Sequence, residues 1–334
     1  MRRAASEVVV ITGASAGVGR ATAREFARRG ASIGLLARGV EGLEATRREV
    51  EALGGRAVVV PTDVAEPEQV EAAADRIEAE FGPIDIWVNN AFAGLFSPFL
   101  DMTPEEFRRV TEVTYFGQVN GARTALKRML PRDHGAIVLV GSALAYRGIP
   151  LQTAYCGAKH ALQGFQDSLR AELLHAKSRV RLCMVQLSGV NTPQFDWVRA
   201  KLPGRPKPAG AMYQPEVAAQ AIWFAAHTNR KEVIVGAPAW EAILGDKLAS
   251  GLLDRVLARF AVDGQHDDVP LAADRADNLF APVLGDRGAH GRFDAQARRH
   301  SSQLWASMHR NGLAVAGAAA VGAALALTAR RRRA

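Results

Sequence analysis

The sequence predicts an α/β protein built on a doubly wound parallel sheet, and three observations carry that prediction. Short β-branched runs alternate with amphipathic helical stretches through residues 7–240. The first run leads straight into a glycine-rich turn and then a helix. Polar residues after successive runs fall where the carboxyl ends of the strands would lie. Alternation of this regularity builds a parallel sheet covered on both faces, with right-handed crossovers and ligands bound beyond the strands' carboxyl ends.

In chain order, Val8–Ile11 is a strand ending in Thr12-Gly13-Ala14-Ser15-Ala16-Gly17-Val18-Gly19, and a helix follows from Arg20 to Arg29. The spacing G-x-x-x-G-x-G lets backbone approach a pyrophosphate, which the helix N-terminus attracts with free N–H groups and the positive end of its dipole. Ile33–Ala37 is the second strand. The place where an NAD site keeps Asp or Glu for the ribose 2′-hydroxyl holds Arg38, whose planar guanidinium suits a 2′-phosphate and favours NADP over NAD. A solvated loop arginine is the alternative at that position.

Val40–Leu53 reads as a helix, Ala57–Val60 as a strand leading to Asp63-Val64, Glu66–Phe81 as a helix, and Ile84–Val88 as a strand leading to Asn89-Asn90-Ala91. A long helix over Pro104–Met129 precedes the strand that Ser142 closes. Val180–Leu187 is a further strand, residues 188–212 are irregular, Pro215–His227 is a helix and Glu232–Val235 the last strand.

Between these, Tyr155-Cys156-Gly157-Ala158-Lys159 spells Y-x-x-x-K in a helical segment, placing phenol and ammonium one turn apart on one face. A phenol with a pKa of about 10 is a poor proton donor or acceptor at neutral pH, and a nearby cation lowers that value. Lys159 is placed to do so, and Ser142 to hold a substrate oxygen. Alone, the spacing equally describes a surface Tyr–Lys pair. Its convergence with the glycine turn, Arg38, Asp63-Val64 and Asn89–Ala91 at one sheet edge selects the chemical reading.

Composition bounds the rest. The chain has 334 residues, 48% hydrophobic and 23% charged, as an ordinary globular protein does. Much of the net charge of +8 sits in Arg2, Arg3 and Arg330–Arg333, so nucleic acid is not an expected partner. Cys156 and Cys183 give neither a disulfide framework nor metal spacing, the histidines are scattered, and no metal is expected. A reducing compartment fits, and Val8–Ile11 is too short for a signal peptide.

Taken together, T-G-x-x-x-G-x-G at Thr12–Gly19, Asp63, N-N-A at Asn89–Ala91, Ser142 and Y-x-x-x-K at Tyr155–Lys159 resemble the short-chain dehydrogenase/reductase family over residues 7–240. The resemblance implies a Rossmann-type catalytic domain over 1–240 and hydride transfer to or from a nicotinamide. It implies Tyr155 as general acid/base, Lys159 holding the nicotinamide ribose, and Ser142 orienting the substrate oxygen. Gly13, Ser15, Gly17, Val18, Gly19, Arg38, Asp63, Val64, Asn90, Ala91, Tyr155, Lys159 and Thr192 would line the cofactor. A homo-oligomer is also expected.

Three positions depart from the family pattern: Thr114 replaces an Asn whose backbone carbonyl serves a proton relay, Phe92 replaces a Gly, and Ser188-Gly189 replaces Pro-Gly, loosening the loop to Thr192. The first two leave an alternative, a dinucleotide-binding protein with little turnover. Apolar residues flanking the expected pocket (Phe92, Leu95, Phe96 and Phe99; Leu144, Tyr146 and Ile149; Phe195, Trp197 and Met212) predict a lipophilic carbonyl or alcohol substrate.

Past the family fold, residues 241–262 read as an amphipathic helix, 263–303 as a polar linker and 304–334 as an alanine-rich helix with an arginine tail. Leu313–Ala329 is uncharged but short for a bilayer span, so it reads either as a membrane anchor for a cytoplasmic catalytic domain or as a surface helix.

Overall fold

A computed structural model describes residues 7–272 and 274–316. Seven strands form one sheet: β1 (Val8–Thr12), β2 (Ser32–Ala37), β3 (Arg56–Pro61), β4 (Ile86–Asn89), β5 (Ala136–Ser142), β6 (Arg181–Leu187) and β7 (Glu232–Val235). Their order is β7-β6-β5-β4-β1-β2-β3, and every neighbouring pair is parallel. The chain winds outward from β1 through β2 to β3, then returns to place β4 on the other side of β1. That reversal opens a crevice beyond the carboxyl ends of β1 and β4, where such sheets bind ligands.

Both sheet faces are apolar because both are covered. On one side lie α1 (Gly17–Ala27), α2 (Val40–Ala52) and the later helix α7 (Pro215–Ala226), with Phe26, Leu43, Val50 and Ile222 fully buried. On the other lie α3 (Pro67–Phe81), α4 (Pro104–Thr111), α5 (Gly117–Met129) and α6 (Thr153–His175), with Ile77, Trp87, Val110 and Leu162 fully buried.

The long helix expected over Pro104–Met129 is broken. Thr103 caps α4 through a reciprocal box with Glu106. Between α4 and α5, residues Glu112–Phe116 form a wide π-helical turn. Such turns mark functional sites more often than chance, and this one carries Thr114.

Helix α8 (Ala237–Phe260) begins earlier than the apolar pattern indicates, with its chain kinked at Ala249. The larger correction concerns 263–303, which the composition marks as a linker. It pairs a strand, His266–Pro270, antiparallel with Gly204–Pro206, and buries Leu279, Ala289 and Phe293. A last helix, α9 (Ser302–Met308), is capped by Ser301 and buries Leu304 in the core. Among the described residues no helix is long and apolar enough to cross a membrane. Most of the 313–329 run, and the arginine tail, lie outside the described residues.

Candidate active site

The glycine turn after β1 is fixed by one side chain. Thr12 Oγ1 accepts from the N–H groups of Asn90 (2.9 Å) and Ala91 (3.0 Å), and Asn90 Nδ2 donates to the Thr12 carbonyl at 2.9 Å. Asn90 thus ties the β1 and β4 ends together while also lining the cleft. Gly17 has φ +54°, a backbone that favours glycine, and a Cβ there would stand 3.1 Å from the Thr192 methyl. A Cβ on Gly19 would lie well inside contact distance of the Gly13 carbonyl, so helix and turn meet backbone to backbone. Helix α1 has no side-chain cap at Ala16 and no acid in its first turn. A helix N-terminus without a side-chain cap is a ready site for an anion, although here its Gly17 N–H already donates to the Gly288 carbonyl.

Gly13, Ser15, Gly17, Val18, Arg38, Asp63, Val64, Asn90, Ala91, Ser142, Tyr155, Lys159 and Thr192 all line one continuous cleft of about 460 Å³. Gly19 lies just behind it.

Two of these residues are engaged in ways the sequence does not announce. Asp63 pairs with Arg109 from α4 and caps its own loop by accepting from Ala65 N at 3.1 Å. Arg38, expected to await a 2′-phosphate, donates to the backbone carbonyls of Asn278, Leu279 and Phe280. Burial, with Arg109 nearby, lowers its pKa. A guanidinium so held offers a phosphate fewer donors than an exposed one. Arg109 and the 278–291 segment are the site residues that sequence reasoning missed. Their contacts are backbone carbonyls and single side chains, which leave no motif.

At the other end, Ser142 closes β5 and its Oγ accepts from Leu144 N at 3.1 Å. Lys159 is 2% exposed; its Nζ donates to the Val140 carbonyl at 2.6 Å and lies 5.6 Å from the Tyr155 ring centre. Burial brings the lysine down to about 7. Burial likewise pushes the Tyr155 phenol up, only partly opposed by its hydrogen bond with Ser142. The sequence reading expected the reverse for Tyr155. The reason is physical: the pocket that holds the cation close also desolvates both partners, and desolvation wins.

Thr114, in the π-helical turn, is fully buried; its hydroxyl donates to the Ala93 carbonyl (2.8 Å) and accepts from Ala93 N (3.0 Å). It therefore braces the loop carrying Phe92. The Phe92 ring packs edge-on against Tyr155, 5.8 Å between centres, and lines the cleft.

Of the other apolar candidates, Phe96, Leu144, Ile149, Phe195 and Trp197 line the cleft. Leu95 and Met212 are core, Phe99 is exposed, and Tyr146 donates to Glu232 at 2.5 Å. The loop after β6 is held rather than loosened: Ser188 Oγ donates to the Val235 carbonyl at 2.5 Å, and Gly189–Val190 pairs with Met212–Tyr213. Both cysteines are buried, with burial raising their thiols, Cys183 to about 12. Among the described residues no group of three or more His, Cys, Asp or Glu could hold a metal ion.

Comparison with known proteins agrees with this geometry. The family described as short chain dehydrogenase matches residues 7–202. An uncharacterized oxidoreductase of Bacillus subtilis is 32% identical over 294 residues, covering 87% of this chain and 83% of its own. A match of that extent runs well beyond residue 202, whatever residue it starts from. A probable oxidoreductase of Mycobacterium tuberculosis is 37% identical over 252 residues, 71% of this chain, but this match spans only 42% of that protein.

Among solved structures, a metagenomic short-chain oxidoreductase in complex with NADP is similar at TM-score 0.58 and 29% identity. It covers 69% of this chain and 96% of its own. A short chain dehydrogenase from Mycobacterium paratuberculosis bound to NAD is similar at TM-score 0.60 and 25% identity, with the same coverage. The parallel sheet, the glycine turn beside the β4 end and these matches lead to one conclusion: the chain belongs to the short-chain dehydrogenase/reductase family and is an NAD(P)-dependent oxidoreductase.

Proposed function

We propose that the protein is an NADP-dependent oxidoreductase that interconverts a lipophilic carbonyl compound and its alcohol, with Tyr155 as general acid/base. The observation that supports this best is the grouping of Ser142, Tyr155 and Lys159 on one wall of a cleft whose other end is the glycine turn. A bound nicotinamide would supply or accept the hydride at the substrate carbon. Ser142 and Tyr155 hold the substrate oxygen between two hydroxyls. Tyr155, kept protonated by burial, donates its proton to that oxygen during reduction and recovers it during oxidation. Lys159, charged in part near neutrality, supplies a proton and a positive field behind the phenol. Phe92, Phe96, Leu144, Phe195 and Trp197 exclude water from the reacting carbon and favour an apolar substrate.

Preference for NADP rests on the cations at the β2 end. Arg38 and Arg287 line that part of the cleft, and the nearest acid after β2, Glu41, is occupied in accepting from Gly285 N. The test is a carbonyl panel with NADPH and NADH, run on wild type and Tyr155→Phe. Turnover at least tenfold more efficient with NADPH, and lost by two or more orders of magnitude in Tyr155→Phe at unchanged NADPH affinity, is the expected outcome. Equal use of both cofactors sinks the preference, and an active Tyr155→Phe sinks the mechanism. Thr114 supports the second reading, a binder with little turnover; it would be favoured by NADPH binding without oxidation on any substrate. Membrane attachment through 313–329 is a separate reading, checked by fractionating the full chain beside one ending at Arg310. Equal partitioning of the two rules it out.

A further inference from the structure

Residues 274–300 lie beyond the matched family residues and form no regular helix, yet they are tied to α1, α4 and the loops around the cleft every few residues. Arg38 Nη1 donates to the carbonyls of Leu279 (3.3 Å) and Phe280 (2.9 Å). Arg109 Nε donates to the same Leu279 carbonyl at 3.2 Å while its Nη2 pairs with Asp63. Arg20, only 3% exposed, pairs with Asp286, and Gly17 N donates to the Gly288 carbonyl at 3.1 Å. Farther on, Asp294 accepts from Asn191 (2.8 Å) and Gln214 (3.1 Å). Leu279 is fully buried in the core, and Ala289 packs against Ala21 and Ala219. Charge-assisted bonds from arginines are among the stronger ones available, and here two buried arginines, Arg20 and Arg109, and the half-buried Arg38 spend them on one irregular segment.

The segment roofs the cleft and does not fill it. Asn278, Pro282, Val283, Gly285 and Arg287 line the same open space as the glycine turn, Asp63 and Val64. The covered end is the one beyond β1, β2 and β3. Tyr155 and Ser142 lie beyond β5, and on that side the segment touches the cleft's lining through Asn278, whose N–H donates to the Trp197 carbonyl at 3.1 Å.

We propose that residues 277–291 are an integral part of the dinucleotide site: a strap over its adenosine and pyrophosphate half, latched by Arg38, Arg20 and the Gly17 N–H, that must lift before the cofactor leaves. Arg38 on this account is a positioning residue, holding the strap in place, and Arg287 is the strap's own cation toward the cofactor. Each turnover uses up one cofactor, which must leave and be replaced, so cofactor exchange at the closed end is slower than substrate exchange at the open one and limits the rate. This rests on the reading of the cleft as a nicotinamide dinucleotide site.

The test uses the full chain. NADPH or NADH is bound, affinity is read from cofactor fluorescence, and release is followed by stopped flow after mixing with excess oxidised cofactor. Asp286→Ala removes one latch. Gly291→Val places a side chain against the Thr192 carbonyl, where a Cβ has no room, and wedges the strap away. Release at least tenfold faster in both variants, with affinity weakened in proportion, is expected. Unchanged release, or tighter binding with faster association, overturns the proposal, the latter because it would make the strap an obstruction. Should Gly291→Val fail to fold, hydrogen exchange of wild type decides: bound cofactor should protect the amides of 277–291, and unchanged exchange there counts against the strap. Binding of neither dinucleotide by wild type would overturn the reading of the cleft itself, whereas binding with unaltered release overturns the strap alone.

Discussion

The Lys159 ammonium and the Val140 carbonyl meet at 2.6 Å inside the protein, both residues 5% exposed or less. One neutral acceptor is thin compensation for a buried cation, and burial accordingly brings the lysine from 10.5 to about 7. The sign of the consequence is definite. Between about 7 and 10.5 the unfolded chain holds a proton that the folded chain has released, so this group makes stability rise with pH across that window. Lys159→Met should remove the dependence. Between about pH 6.5 and pH 9, wild type should gain roughly 2–3 kcal/mol relative to the variant in urea unfolding. Parallel profiles would show that the lysine titrates normally.

Two glycines in helices should respond in opposite directions. Gly19→Ala forces a methyl onto the Gly13 carbonyl, and a backbone atom cannot move aside cheaply. A loss of about 1–3 kcal/mol and at least tenfold weaker NADPH binding are expected. Gly164, within α6, has open space around it, so Gly164→Ala should add about 0.5–1 kcal/mol through the unfolded chain's lost freedom. Thermal or urea unfolding of the pair reads both signs in one experiment.

Glu49 on α2 accepts from Arg20 (2.8 Å) and Arg24 (2.6 Å) on α1. Burial alone would raise its pKa, but the two guanidiniums outweigh that and hold it at about 2. Its contribution is thus fully present above about 4.5 and lost as pH falls through about 2. Glu49→Gln should unfold at a less pH-dependent denaturant midpoint across that acid window. At neutral pH it should cost about 2 kcal/mol, allowing for solvent on the carboxylate's open side. An unaltered acid profile would show that the pair contributes nothing.

Thr114→Val keeps the shape of the side chain but removes both hydrogen bonds to Ala93. Leaving that buried backbone pair without its partner should cost about 1–3 kcal/mol. Because Ala93 follows Phe92, the KM for an apolar substrate should rise more than kcat falls. The opposite split would place Thr114 in the proton relay itself.

Much of this fold is legible in the sequence because its signals are local. β-Branched runs such as Val8–Ile11 and Ile137–Val140 announce fully buried strands, and a glycine turn between strand and helix has few other uses. The strand order then brings Ser142, Tyr155 and Lys159 to one cleft. What escapes is whatever depends on distant packing. The π-helical turn at Glu112–Phe116 is invisible because apolar spacing runs unbroken through it. The direction of the Tyr155 shift escapes because spacing reports that a cation is near, and not that both groups are desolvated. The segment 263–303 reads as a linker because its few buried apolar residues, Leu279, Ala289 and Phe293, fall at no regular period and backbone carbonyls make many of its contacts.

Arg20 and Asp286 stand 266 positions apart in the chain. The fold's first helix is thus locked by residues that leave the ribosome long after it does. Domains of this kind gain structure from the N-terminal end during synthesis, at roughly 5–20 residues per second. The sheet and its crevice can assemble while the covering segment is still being translated. For some seconds of its life, each new molecule offers a dinucleotide an unobstructed entrance that it will not offer as freely again.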